Sequence, residues 1–282
     1  MRVFLIVIGE VVPVLVLVGL VFVERWKRDK SGERPPIREK LLREPGHTLR
    51  RQFAAGNETF LGWFFGAMGA GCFFGFLLFS EPPGYESMCL AVALAAAVCT
   101  LMGWRTLKGL RPLRLGILGE QAVAEQLQSL IARGYQIFHD VPGSGKWNID
   151  HVAVGPAGVF AIETKARSKK PGRKKQQEHE VIYDGKTLRF PWGEDNATLE
   201  QARRNGRWLA EELSKATGER VAVQPMVVLP GWYVTMTTRS DLKVLNAKVV
   251  PEIIANEEPV ISSESVQRIA YQLDRRCRDV EL

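Results

Sequence analysis

Residues 148–165, NIDHVAVGPAGVFAIETK, leave the chain fewer choices than any other stretch. Two runs rich in Val, Ile, Phe and Ala flank Gly155-Pro156-Ala157-Gly158. That pattern predicts two antiparallel strands joined by a four-residue hairpin loop, with Gly and Pro supplying the turn. If Val154 faces Val159, each step back along one strand is a step forward along the other. Asp150 then lies across from Glu163. Side chains two apart share a face of a strand, so Lys165 joins them. Like charges directly opposed across a strand pair destabilise it, and these two acids are embedded in apolar sequence. A divalent cation between their oxygens, with Lys165 beside it, makes the arrangement tolerable. Two carboxylates, a strand carbonyl and waters suit Mg²⁺ or Mn²⁺. Asp150 and Glu163 are therefore candidate metal ligands, and Lys165 a candidate to orient the attacking water or meet charge on a phosphate. The competing reading is a surface hairpin with two unrelated acids, Lys165 forming a salt bridge to Glu163.

The rest of 116–282 reads as alternating helices and strands. Residues 116–132 have helical periodicity, with Leu118, Ala122, Leu127, Leu130 and Ile131 inward and Gly134 as the stop. Tyr135–Val141 reads as a strand. Val181–Tyr183 and Thr187–Phe190 flank the turn signal Asp184-Gly185. A helix is expected over 197–216, with Leu199, Ala202, Trp208, Leu209 and Leu213 on one stripe. Apolar strands are expected over 221–229 and 243–250, and a last helix capped by Ser262 or Ser263, with Val266, Ile269, Ala270 and Leu273 inward.

The tract 165–175 has 7 Lys/Arg in 11 residues. Lys169, Lys170, Arg173, Lys174 and Lys175 are candidates for phosphate contacts, which supply most non-specific nucleic-acid affinity. A solvated charged loop is the rival. Trp147, Tyr183 and Trp192 could stack bases or simply pack. His139, His151 and His179 lack common zinc spacing, and His151 reads as a core residue or a support behind the acids. The four cysteines show neither a disulfide framework nor metal spacing.

The first 115 residues are of another kind. Residues 3–23, 60–79 and 88–104 are apolar runs of bilayer-spanning length, which predict three transmembrane helices. In the second, Gly62, Gly66, Gly69, Ala70, Gly71 and Gly75 would let another helix pack closely, so self-association through the membrane helices is an expectation. Glu10 falls inside the first span, where a protonated or interfacial carboxylate is the simpler account. The first run is longer than a typical signal-peptide core and lacks a small-residue cleavage site, so a retained anchor is expected. The basic excess belongs to this region: 1–115 carries 15 Lys/Arg against 9 Asp/Glu, whereas 116–282 carries 23 against 22. The loop 24–56 holds 10 basic and 5 acidic residues, and 105–114 four basic and none acidic. By the positive-inside rule both face the cytoplasm. The expectation is a multi-pass protein of the cytoplasmic membrane, with 116–282 inside.

Asp…Glu-x-Lys is the signature of the PD-(D/E)xK, restriction-endonuclease-like superfamily. The longer pattern resembles its nuclease-related domain (NERD) family, through LGEQ at 118–121, NIDH at 148–151, GPAGVFAIETK at 155–165 and Gln201 in a later helix. The resemblance covers about 116–230. It implies an α/β sandwich with a central mixed sheet flanked by helices, here behind the three transmembrane helices. It also implies Mg²⁺-dependent hydrolysis of phosphodiester bonds, of DNA, in DNA processing or defence. Glu120 becomes a third acid reaching the metal, and Gln201 a residue that positions water or phosphate. The alternative is a non-catalytic nucleic-acid-binding, scaffolding or sensor module at the membrane.

Overall fold

The computed structural model describes residues 40–169, 179–238 and 240–280, together with isolated helical positions between 16 and 30. In chain order the elements are β1 (Leu41–Leu42), α1 (His47–Ser80), α2 (Tyr85–Leu127), a 3-10 turn (Gln128–Arg133), β2 (Gln136–Pro142), β3 (Asn148–Gly155), β4 (Gly158–Thr164), β5 (Glu180–Tyr183), β6 (Leu188–Phe190), β7 (Gly193–Asp195) and α3 (Ala197–Thr217). There follow β8 (Val223–Val228), β9 (Tyr233–Met236), β10 (Lys243–Leu245), a 3-10 turn (Ala247–Val249), α4 (Val250–Ala255), α5 (Ser263–Cys277) and β11 (Arg278–Val280). The chain divides into two units, one of residues 1–38 and 54–111, the other of 39–53 and 112–282.

In the first unit, α1 and α2 are long and apolar enough to cross a membrane. Their large side chains, such as Phe64, Phe65, Phe73, Leu90 and Leu94, point outward. Two such helices, not three, are found among the described residues. The expected first span, 3–23, lies outside them apart from helical positions at 16, 19, 20, 22 and 23. Of the small residues in α1, Gly66 faces Cys99 of α2, where a Cβ would lie 3.2 Å from its Sγ, whereas a Cβ at Gly62, Gly69, Gly71 or Gly75 would meet nothing within 4 Å.

The second unit is built on a five-stranded mixed sheet in the order β10-β8-β4-β3-β2. β2, β3 and β4 pair antiparallel, and β4, β8 and β10 pair parallel. Every residue of the central β4 is buried, as expected of a strand covered on both faces. One face packs Val152, Val154, Val159 and Ala161 against Leu209 and Leu213 of α3 and Ile269 and Leu273 of α5. The other packs Ala153, Phe160 and Ile162 against Val123 and Leu127 of α2 and Ile254 of α4. A second sheet, β7-β6-β5-β9, is joined to this core by Trp232, Leu199 and Val227. Helices on both faces of a mixed sheet make an α/β fold of the expected kind.

Several local expectations change. The hairpin has the expected register, Val154 facing Val159, but Gly155 pairs with Gly158. The turn is therefore Pro156-Ala157 alone, two residues rather than four. Gly155 must lack a side chain, since a Cβ there would lie 2.1 Å from the Tyr135 ring. Residues 243–250 do not form one strand. β10 stops at Leu245, because the Asn246 side chain accepts from Lys248 N and Pro251 opens α4, a polar cap and an N-terminal Pro that both favour a helix. On α2 the buried stripe is Glu120, Val123, Ala124 and Leu127, and Leu118 is exposed. Beyond Leu127 the chain tightens to 3-10 geometry, whose three-residue turn buries Leu130 and leaves Ile131 out.

Candidate active site

Asp150 lies at a break in two strand ladders. Between β2 and β3 the pairing runs to His139–His151 and resumes at Val141–Ile149, omitting Asp140 and Asp150. Asp140 has φ +49°, a left-handed conformation that few non-glycine residues adopt. Side-chain alternation changes phase across this break, so Ile149 joins the same core layer as Val152 and Val154. The β3–β4 ladder likewise ends at His151–Ile162. One step further, the Asp150 carboxylate accepts a hydrogen bond from the Thr164 backbone N–H at 2.7 Å. Glu163 stays in β4, paired with Val227 of β8. The two acids thus meet at the ladder's end, with the Asp150 side chain closing it.

Glu120 reaches the site from α2. A Cβ on Gly119 would lie 2.5 Å from Ala166 Cβ. Only glycine lets the helix pass this close to the chain just beyond Lys165, which gives the LGE motif its physical reason. Glu120 does not face solvent, since the residue is 4 % exposed.

The electrostatics are those of crowded acids. Burial, then Asp150 and Asp140, push the Glu120 carboxyl up to about 9, against a weaker opposing hydrogen bond from the Gly46 backbone. Burial raises Asp150 to about 7, opposed by the Thr164 hydrogen bond and by Lys165. Glu163 is held well above the usual carboxylate range by burial and then by Asp150, with Lys165 opposing. Lys165 is half-buried, and its backbone N–H donates to Val228 O at 2.9 Å. Its charge favours the ionised form of both acids.

Two residues that the sequence did not nominate support this cluster. Asn205 of α3, 1 % exposed, donates from Nδ2 to Glu163 Oε2 at 3.1 Å. Gln201, the nominated helix amide, lies half-buried one turn earlier. Asp140, fully buried, accepts from Arg43 Nη1 at 2.7 Å, from Thr48 N and Oγ1 at 3.1 and 2.7 Å, and from Asn148 Nδ2 at 2.9 Å. Arg43 also bonds Asp279 of β11. Residues 39–53 therefore complete this unit, although apolar helix α1 begins within them. No sequence signal linked Asp140 to a residue nearly a hundred positions away.

His151 is fully buried, its Nδ1 2.8 Å from that of His139. Burial lowers His139 to about 4, and burial together with His139 holds His151 well below the usual histidine range. The pair is neutral, one Nδ1 donating to the other. Trp147 packs edge-on against Trp208, and Tyr183 is buried with its hydroxyl donating to Gly185 O. Trp192 stays 39 % exposed, resting on Phe190. In the basic tract, Lys169 is exposed and its ammonium stands 5.6 Å from the Trp232 ring. Lys170, Arg173, Lys174 and Lys175 lie outside the described residues.

Among the described residues, no three His, Cys, Asp or Glu side chains stand close enough to hold a metal ion as a cluster. The donor set nevertheless fits one hard cation, since Mg²⁺ takes one or two carboxylates and keeps several waters. Polar atoms left over here point the same way. Glu120 Oε2 and Asn205 Oδ1 are buried without a hydrogen-bond partner, and buried polar groups are otherwise nearly always satisfied.

No curated protein and no solved structure matches the chain. Residues 115–230, the segment that carries Glu120, Asp150, Glu163, Lys165 and Gln201, match the nuclease-related domain (NERD) family.

Proposed function

We propose that the protein is a membrane-anchored, Mg²⁺-dependent nuclease that hydrolyses phosphodiester bonds of DNA on the cytoplasmic side of the membrane. The reading is carried by three buried, mutually repelling carboxylates, Glu120, Asp150 and Glu163, brought together beside Lys165. Bound between Asp150 and Glu163, a divalent cation would neutralise them, polarise the scissile phosphate and lower the pKa of its water. Glu120 adds a third carboxylate from α2. Lys165 favours the ionised acids, and the same ammonium orients the attacking water or meets charge on the phosphate. The basic tract that starts at Lys165 holds the substrate backbone through charge.

Cleavage by the full-length protein in detergent tests this reading. DNA is expected to be cut with Mg²⁺ present and not in EDTA, and Glu163→Gln is expected to be inactive. Failure to cut single- or double-stranded DNA or RNA would favour the binding or scaffolding module.

The location rests on the charge of the connecting segments and on the two apolar helices. A reporter fused after Leu282 is expected in the cytoplasm, and one inserted near Gly84 outside. Finding the fusion after Leu282 outside would separate the domain from chromosomal substrate and remove the proposed role.

A further inference from the structure

The helix that carries Asn205 is pressed tightly onto the sheet. A Cβ on Gly206 would lie 3.1 Å from Pro225 Cβ, so the α3 backbone has no slack toward β8. The neighbouring Asn205 is 1 % exposed, with Nδ2 donating to Glu163 Oε2. Its Oδ1 is buried and has no partner. A side-chain amide has two N–H donors and a carbonyl with two lone pairs, and leaving the carbonyl unpaired in a buried site is costly. Packing alone would be served better by Leu or Ala. The unused acceptor therefore asks for a donor, and Glu120 Oε2 is unpartnered as well.

We infer that Asn205 is a positioning residue: its Nδ2–H fixes the Glu163 carboxylate in its ligating orientation, and its Oδ1 accepts a hydrogen bond from cation-bound water. This rests on the metal-dependent reading above and gives Asn205 a water-positioning role beside the one that the resemblance implies for Gln201. Partners that orient a metal ligand set the site's affinity without touching the metal, and losing one typically costs about 10–100-fold in metal affinity or activity.

The test is calorimetric titration of Mn²⁺ into the full-length protein in detergent, with melting curves recorded with and without metal. Asn205→Ala removes donor and acceptor and is expected to weaken Mn²⁺ binding about 10–100-fold. Asn205→Asp keeps an acceptor but sets a fourth charge against Glu163. It is expected to melt below wild type without metal and to show a larger metal-induced rise. Asn205→Ser retains one hydroxyl, is expected to bind with intermediate affinity, and serves if the Ala variant fails to fold. A role in packing alone predicts lower melting in all three variants with unchanged Mn²⁺ affinity, and that result overturns the assignment. Wild type that binds no Mn²⁺ would sink the metal reading and this inference together. Wild type that binds while Asn205→Ala binds equally well would sink only the inference.

Discussion

Lys165→Ala is expected to keep metal binding and lose cleavage by about 10²–10⁴-fold, the range typical of a positioned proton-transfer group. Lys165 follows β4 directly, and its backbone N–H is already committed to Val228 O, so truncating the side chain leaves the strand in place. What disappears is the one positive charge that opposes burial at both Asp150 and Glu163. Those acids then hold their protons more firmly, so metal binding persists but moves to higher pH. Comparing single-turnover cleavage with metal-induced melting shifts at several pH values separates the two effects. Full activity in Lys165→Ala would remove Lys165 from the mechanism.

The second large effect is on stability. Asp150→Asn is expected to stabilise the metal-free protein by about 1 kcal/mol or more, roughly 2–4 °C per kcal/mol for a domain of this size, while abolishing the rise induced by Mg²⁺. Asn at this position still accepts the Thr164 N–H. It also removes the largest charge that raises the Glu163 carboxyl. The pH dependence follows from the sign of the shifts. Asp150 and Glu120 bind protons more tightly folded, at about 7 and about 9, than at their ordinary 3.8 and 4.5. The native state therefore holds more protons than the unfolded chain, and stability falls as pH rises. The metal-free protein should lose stability from about pH 4 through 7 and on toward 9, and Asp150→Asn should flatten the lower part of that decline. Saturating Mg²⁺ should offset the loss in wild type, because a ligand of the native state stabilises it. A destabilised Asp150→Asn variant with an unchanged metal response would show that Asp150 is not a ligand.

Much of this site could be read from local pattern. The hairpin register follows from two apolar runs around a Gly-Pro turn, and it set Asp150 and Glu163 together before any tertiary information was needed. Glu120 was legible only through its motif, yet its spacing to Val123, Ala124 and Leu127 places it on the buried stripe. What stayed hidden was non-local. Asp140 is satisfied by Arg43 and Thr48, far away in sequence and outside the segment that matches the family. Asn205 looks like any polar residue of an amphipathic helix until α3 is laid on the sheet. The break in alternation at Asp140 depends on one left-handed residue, which strand periodicity cannot reveal. Helix 250–255 was missed because its apolar residues continue those of β10. Pro251 and the cap from Asn246 were the available signals.

A cation held between Asp150 and Glu163, with Glu120 nearby, would be located by metal-directed backbone cleavage. Fe²⁺ bound in a Mg²⁺ site generates hydroxyl radicals with ascorbate and peroxide, which cut the nearest backbone. Fragments are expected to end near residues 120, 150 and 163, suppressed by excess Mg²⁺ and absent in Glu163→Gln. Cuts elsewhere, or cuts near these residues that neither excess Mg²⁺ nor Glu163→Gln affects, would contradict it.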